Sequence, residues 1–160
     1  MEIGYPGKLY ILAFDHRRSL QTKMFGIAGE PTPAETARIQ DAKLLIFEGV
    51  LAALDRGVDR SVTGVLVDEQ FGGTVPAAAK AHGLNLAVAV EKSGQAEFDF
   101  EHGEAFGERI EAVDPDFTKV LVRYNVGGDR ELNARQLARP DGSAIEIKTE
   151  ASPLPINKRP

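Results

Sequence analysis

The 160-residue sequence contains no cysteine and only three histidines. Without cysteine the chain has no disulfide, no thiolate nucleophile and no cysteine-based zinc site. The histidines, His16, His82 and His102, lie far apart and lack the spacing of metal ligands. We therefore predict neither a metal ion nor a cofactor.

The sequence also lacks an excess of positive charge and a long apolar run. The chain carries 24 acidic residues against 19 lysines and arginines, a formal net charge of −5, which argues against a general nucleic-acid binder. No apolar run approaches the ~20 residues that a membrane span needs, and the opening MEIGYPGKLY does not resemble a signal peptide. We expect a cytoplasmic protein that binds neither nucleic acid nor membranes.

Four short apolar runs are present instead, at residues 9–14, 64–67, 86–90 and 118–124. Each is too short for a helix and suits a β-strand. Helical patterns follow them, at about 33–56, 75–82, 105–113 and 129–139. This alternation predicts a parallel sheet with right-handed crossovers. No glycine occurs in DHRRSL after the first run, which disfavours a dinucleotide or nucleoside-triphosphate site.

The first helix has the clearest signals. Thr32 is placed to cap it, Pro33 suits its first position, and Glu35 completes a capping box. Apolar residues then recur at helical spacing, at Ile39, Ala42, Ile46, Val50 and Ala53.

Charged and polar residues follow the predicted strands, at the edge where ligands bind in parallel α/β folds. They are Asp15, His16, Arg17, Asp68, Glu69, Gln70, Glu91, Lys92, Arg123, Tyr124 and Asn125. Lys119 lies inside the fourth run, where an ammonium group needs a partner such as Asp15 or Glu91.

Each of these residues also has a structural alternative. Asp15 could be a local turn cap, and Lys119 could extend its amine to solvent near the strand start. Glu91 and Lys92 could be a solvated pair on a loop. Arg17 could grip a phosphate or carboxylate with its forked donors, or belong to a surface pair with Arg18.

Five segments carry a family resemblance: LAFDHRRSL, KLLIFEGVLAAL, LVDEQFG, VEKSGQAEFDFEHGEAFGERIEAVDP and KVLVRYNVGGDRELNARQL. They resemble the DUF2090 domain, a barrel domain often fused to the sugar kinase 5-dehydro-2-deoxygluconokinase of inositol breakdown. The resemblance covers about residues 8 to 139 and extends more distantly to class I tagatose-1,6-bisphosphate aldolases. It implies an aldolase-type (β/α)₈ barrel that cleaves a carbon–carbon bond of a phosphorylated keto sugar, such as 2-deoxy-5-keto-gluconate 6-phosphate.

The resemblance also implies residue roles. Asp15 matches the first-strand aspartate of the aldolases, Glu91 and Lys92 match their EK pair, and Lys119 matches their fourth-strand lysine. We expect Asp15, Glu91 and Lys119 to move protons and polarise a carbonyl group. The expected substrate-binding residues are Arg17, Asp68, Gln70, Lys92 and Arg123. The alternatives are a non-catalytic sugar-phosphate-binding or interaction domain, and an open α/β sheet that binds a small anion.

The sequence departs from the family pattern at Pro140. A complete barrel has eight strands in about 250 residues, whereas four are predicted here. We therefore expect residues 1–139 to form the N-terminal half of a barrel and residues 140–160 a divergent, disordered tail from truncation or an altered reading frame. The strand with the Schiff-base lysine would be missing, so we expect the chain alone to be inactive. Its exposed sheet edges predict self-association or only marginal stability. The resemblance further implies a possible partner, either the missing barrel half or a sugar kinase domain.

Overall fold

A computed structural model of the chain describes residues 5–141, with side chains through residue 138. Four parallel strands form one sheet in the order β1-β2-β3-β4. The strands are β1 (Tyr10–Ala13), β2 (Thr63–Asp68), β3 (Asn85–Ala89) and β4 (Phe117–Lys119). The helices are α1 (Pro33–Asp55), α2 (Glu69–Gly72), α3 (Val75–Ala81), α4 (Phe106–Val113) and α5 (Arg130–Asp141). The predicted parallel α/β sheet is confirmed, and it is compatible with part of an aldolase-type barrel.

Helix α1 begins as its sequence predicts. The Thr32 hydroxyl accepts a hydrogen bond from the Glu35 N–H (3.3 Å), and the Glu35 carboxylate accepts one from the Thr32 N–H (2.8 Å). The predicted apolar stripe is only partly right, because Ile46 is exposed. The side chains that α1 buries are Ile39, Lys43, Phe47 and Val50.

The two faces of the sheet have different roles. Val65, Val67, Leu86 and Val88 pack with apolar side chains of α1 and α3 in the main core. Neighbours in register point to the same face of a sheet, so the opposite face carries small residues such as Ala87 and Ala89. That second face leads, at its carboxyl end, to the charged residues described below.

Gly64 allows β2 and β3 to lie close together. A Cβ atom at this position would lie 2.8 Å from the carbonyl oxygen of Asn85. We expect Gly64→Ala to lower the free energy of unfolding by about 1–3 kcal/mol, because backbone in a sheet yields poorly to such a clash. Gly49→Ala is the matched control. Its Cβ would meet no atom within 4 Å, so it should stabilise α1 by about 0.5–1 kcal/mol. Urea unfolding of both variants checks this, and equal effects would contradict it.

Two elements differ from their sequence predictions. The fourth strand ends at Lys119, so the predicted strand over residues 120–124 is wrong. There the Arg123 and Asn125 N–H groups donate to side chains of α5 instead of a neighbouring strand. A short π-helical turn, Leu20–Met24, lies between β1 and α1, where the sequence pattern predicts no helix.

Helix α5 continues past its predicted end at residue 139. The rest of the predicted disordered tail, residues 142–160, lies outside the described residues, and so does the segment SAIEIKTE, whose pattern would allow an edge strand.

The outer edges of the sheet are unpaired within the described part of the chain. Tyr10 and Leu12 of β1 are 64% and 48% exposed. Apolar edge strands of this kind favour pairing with another chain, so self-association stays a prediction. Within residues 5–141, no helix has the length and apolar character needed to cross a membrane.

Candidate functional site

A cleft of about 280 Å³ lies where β1, β3 and β4 end. Six of the eight residues predicted for the site line it: Asp15, Arg17, Glu91, Lys92, Lys119 and Arg123. The parallel arrangement explains this convergence, because it brings the carboxyl ends of all four strands to one edge.

Lys119 lies at the centre of the charged cluster. Its Nζ donates to Glu91 Oε1 (2.7 Å) and to Asp15 Oδ2 (3.0 Å). Strands β1 and β4 are the two edge strands of the sheet. The contact between Lys119 and Asp15 therefore spans the ends of β2 and β3, which lie between them. The prediction that Lys119 has a carboxylate partner is confirmed, and both candidate partners contact it.

These contacts fix the protonation state of Lys119. Burial alone would lower the pKa of its ammonium group, but the hydrogen bonds and charges of Glu91 and Asp15 outweigh burial and raise the pKa above its ordinary value. Lys119 is therefore a cation at neutral pH. The stability that it contributes is present below the ordinary lysine pKa and is lost as the pH rises through the raised value.

Arg17 is a buried clamp between two carboxylates. Its side chain is 5% exposed, and its two Nη atoms donate to Glu91 Oε1 and Glu101 Oε2, each at 3.1 Å. A surface pair with Arg18 is therefore the wrong interpretation. Both ends of the Arg17 fork are occupied, so it positions Glu91 in the cleft.

The two carboxylate oxygens of Glu91 differ in their hydrogen bonds. Oε1 accepts from both Arg17 and Lys119. Oε2 is buried and accepts no hydrogen bond from the described residues. A buried acceptor without a donor costs free energy, and the Glu91 residue itself lines the cleft.

Lys92 and Arg123 present the remaining cations. Lys92 pairs with Asp99 (2.6 Å) at a half-exposed position, not with its sequence neighbour Glu91. The Arg123 side chain lines the cleft and is exposed. Within the described part of the chain, its guanidinium group has no ion-pair partner. Arg123 is therefore the cleft cation most accessible to an anion.

The structure does not bring Asp68 to the cleft, in contrast to the expectation for a substrate-binding residue. Asp68 and Lys43 are both fully buried and form an ion pair. The second Asp68 oxygen accepts the Phe71 N–H (2.8 Å), which caps α2. Since both oxygens are engaged away from solvent, Asp68 joins α1 to the end of β2.

The sequence reasoning missed Lys43. Burial lowers the pKa of its ammonium group, while Asp68 opposes that shift. Lys43 lies four residues after Ile39 and four residues before Phe47, which places it within the apolar stripe of α1. This spacing was the sequence signal that could have identified a buried lysine.

Gln70 is also outside the first cleft. It lines a second cavity of about 500 Å³ that adjoins the first and shares Lys92, Ser93 and Gln95 with it. The two cavities therefore meet at the turn that follows β3.

Helix α5 contacts two segments that line the first cleft through the side chain of Gln136. The sequence pattern did not identify this role. The side chain is 1% exposed, and its Oε1 accepts the N–H groups of Phe98 (3.0 Å) and Arg123 (3.3 Å). A glutamine within an amphipathic helix gives no sequence signal for this contact, because both donors lie on distant, irregular segments.

The sequence matches the family described as an uncharacterized protein conserved in bacteria (DUF2090) over residues 4–140. It is also similar to two curated proteins named "Tagatose 1,6-diphosphate aldolase 1", from Streptococcus pyogenes serotypes M3 and M6. Each is 25% identical over an alignment of 158 residues that covers 96% of this chain and 45% of the relative. The chain thus spans about half the length of the curated relatives that it matches.

Proposed function

The chain belongs to the DUF2090 family. Because it is also distantly similar to tagatose 1,6-diphosphate aldolases, we propose that it supplies the acidic residues and a lysine of an aldolase-type site. The observation that carries this proposal is the convergence of Asp15 and Glu91 on Lys119 at the carboxyl ends of three strands. The proposed reaction is reversible carbon–carbon cleavage of a phosphorylated keto sugar.

The cleft suits the charges that develop in such a cleavage. The β-hydroxyl group of the substrate loses its proton, the carbon–carbon bond breaks, and the electron pair moves to the carbon next to the ketone. Glu91, whose Oε2 accepts no hydrogen bond from the described residues, is the proposed acceptor for that proton. The Lys119 ammonium group is placed to stabilise the negative charge on the carbonyl oxygen. Asp15 keeps Lys119 protonated and oriented.

The matched region is about half of the aldolase relatives, so we expect other segments to contribute to the reaction. The resemblance places the Schiff-base lysine and the usual barrel phosphate site on later strands. We therefore expect the missing barrel half, or a sugar kinase domain, to complete the site. The finer proposal is that the substrate is 2-deoxy-5-keto-gluconate 6-phosphate, in inositol breakdown.

A non-catalytic sugar-phosphate-binding domain is the second candidate. It is favoured by the pairing of both cleft lysines, since Lys119 contacts Glu91 and Asp15 and Lys92 contacts Asp99. A lysine must be deprotonated to attack a carbonyl, and the contacts of Lys119 raise its pKa and so favour the protonated form. Such a domain would keep the cleft and its affinity without the chemistry.

We expect Lys119→Met to weaken binding of tagatose 1,6-diphosphate by about tenfold or more, because one charge-assisted hydrogen bond to the ligand is lost. Calorimetric titration measures this. Lys80→Met is the control, since Lys80 pairs with Asp114 outside the cleft. Equal affinity of Lys119→Met and the natural chain would contradict the assignment.

Borohydride reduction separates the two candidate functions. With tagatose 1,6-diphosphate, the isolated chain should give no lysine adduct by mass spectrometry, because Lys119, at the centre of the cleft, is held as a cation. Adding the missing barrel half should produce an adduct on that half if the site is catalytic, and none if the domain only binds. An adduct on a lysine of this chain would overturn the cation role and indicate that the chain is catalytically competent by itself.

A further inference from the structure

The second cavity has no assigned ligand. It is larger than the cleft, at about 500 Å³, and it is lined by hydroxyl, carboxamide and charged side chains. Ser93 and Gln95 line both cavities, so one ligand has room to extend from the cleft around the turn at residues 92–95.

Arg18 is the cation of this cavity that remains available. The two other charged groups near the turn are already paired: Glu101 with Arg17 at 3.1 Å, and Lys92 with Asp99 at 2.6 Å. Arg18 forms no ion pair with any of the residues that the structure describes. Glu30 is the remaining carboxylate of the lining and reduces the positive potential there.

The turn after β3 holds the Arg18 side chain in place. Gly94 has a φ of +76°, which a non-glycine residue rarely adopts. A Cβ atom at Gly94 would lie 3.2 Å from Cδ and Nη1 of Arg18, so the guanidinium group packs directly on the glycine. The Thr22 hydroxyl donates to the Arg18 carbonyl oxygen (2.8 Å) and fixes its backbone.

We infer that the second cavity is an oxyanion subsite, in which Arg18 holds a terminal phosphate or carboxylate group of the ligand. The inference rests on the proposed function for the position of the rest of the ligand, whose reacting carbon would lie at Lys119. The guanidinium fork matches two oxygens of such a group, and Ser93, which also lines the cavity, carries a hydroxyl group that can donate a hydrogen bond. This subsite would anchor the ligand on the present chain, independently of any phosphate site on later strands.

Titration with inorganic phosphate, followed by amide NMR, tests the subsite without any chemistry. Phosphate should shift the amide signals of Ser93, Gly94 and Gln95. Arg18→Gln should weaken the binding that these signals report by about fivefold or more. Arg56→Gln, which removes an arginine at the end of α1, is the matched control and should leave the binding unchanged.

Two further variants sharpen the test. Gly94→Ala should weaken binding as Arg18→Gln does, because it displaces the guanidinium group while keeping its charge. Glu30→Gln should strengthen binding by removing the opposing charge. Unchanged affinity in Arg18→Gln, with a dispersed spectrum that shows a folded chain, would overturn the inference.

The outcome is distinguishable from failure of the proposed function. Lys119→Met should leave phosphate binding at the turn intact while it weakens binding of tagatose 1,6-diphosphate. Phosphate binding at residues 93–95 without any sugar-phosphate binding would refute the aldolase-type role and the shared ligand but leave the oxyanion subsite standing. If Arg18→Gln leaves the affinity for tagatose 1,6-diphosphate unchanged, the subsite is refuted but the proposed function is not.

Discussion

Lys43→Met should lower the free energy of unfolding by about 3–5 kcal/mol, because it leaves the Asp68 carboxylate buried without its cation. Both side chains of this pair are 0% exposed. Desolvation of an unpaired carboxylate costs far more than the lost methylene packing, since methionine fills a similar volume. Urea unfolding of the variant and the natural chain measures the difference.

The pairing can be isolated with a double variant. Lys43→Met/Asp68→Asn removes both charges, and the asparagine oxygen can still accept the Phe71 N–H that caps α2. We expect the double variant to be more stable than Lys43→Met alone, which is the sign of coupling between the two residues. Additive effects would show that the ion pair does not matter.

An exposed ion pair provides the control for this experiment. Lys80 and Asp114 also form a salt bridge, but their side chains are 38% and 82% exposed. Lys80→Met should therefore change stability by less than about 1 kcal/mol. The contrast between the two lysines tests whether burial, rather than contact alone, makes Lys43 important.

Glu91→Gln should have the second-largest effect, on stability and on the site together. It removes the negative charge that Arg17 and Lys119 share at one oxygen. Arg17 is buried and would keep only Glu101, so we expect a loss of about 2–4 kcal/mol in the free energy of unfolding. The new amide group would also point a donor where the carboxylate offered an acceptor.

The same substitution tests the role of Glu91 in binding. If Oε2 accepts a ligand hydroxyl group, Glu91→Gln should abolish measurable binding of tagatose 1,6-diphosphate at temperatures where the variant is folded. Glu101→Gln is the control, because Glu101 contacts the same arginine from a position that is 39% exposed. It should cost less than about 1 kcal/mol and should not weaken sugar-phosphate binding. Equal effects of the two variants would assign Glu91 to stability only.

The sequence pattern predicted the elements that depend on local spacing. The capping box at Thr32 and Glu35 acts within one turn of chain, and it forms as predicted. Period-2 alternation and strand ends placed Asp15 and Glu91 at one edge of a parallel sheet, because that edge follows from the topology alone. An ammonium group in an apolar strand requires a counter-ion, which made a carboxylate partner for Lys119 predictable.

For the first three strands, the sequence alone thus determined which residues lie at the strand ends, and the tertiary structure decided what each of them contacts. Asp68 and Glu91 both follow apolar strands, yet α1 inserts Lys43 against the first, while the second faces the cleft. Arg17 and Arg18 are neighbours, yet one is buried between two carboxylates and the other lies open on a glycine turn. The physical reason is that local spacing fixes the direction of a side chain, whereas its partner is supplied by elements far away in the chain.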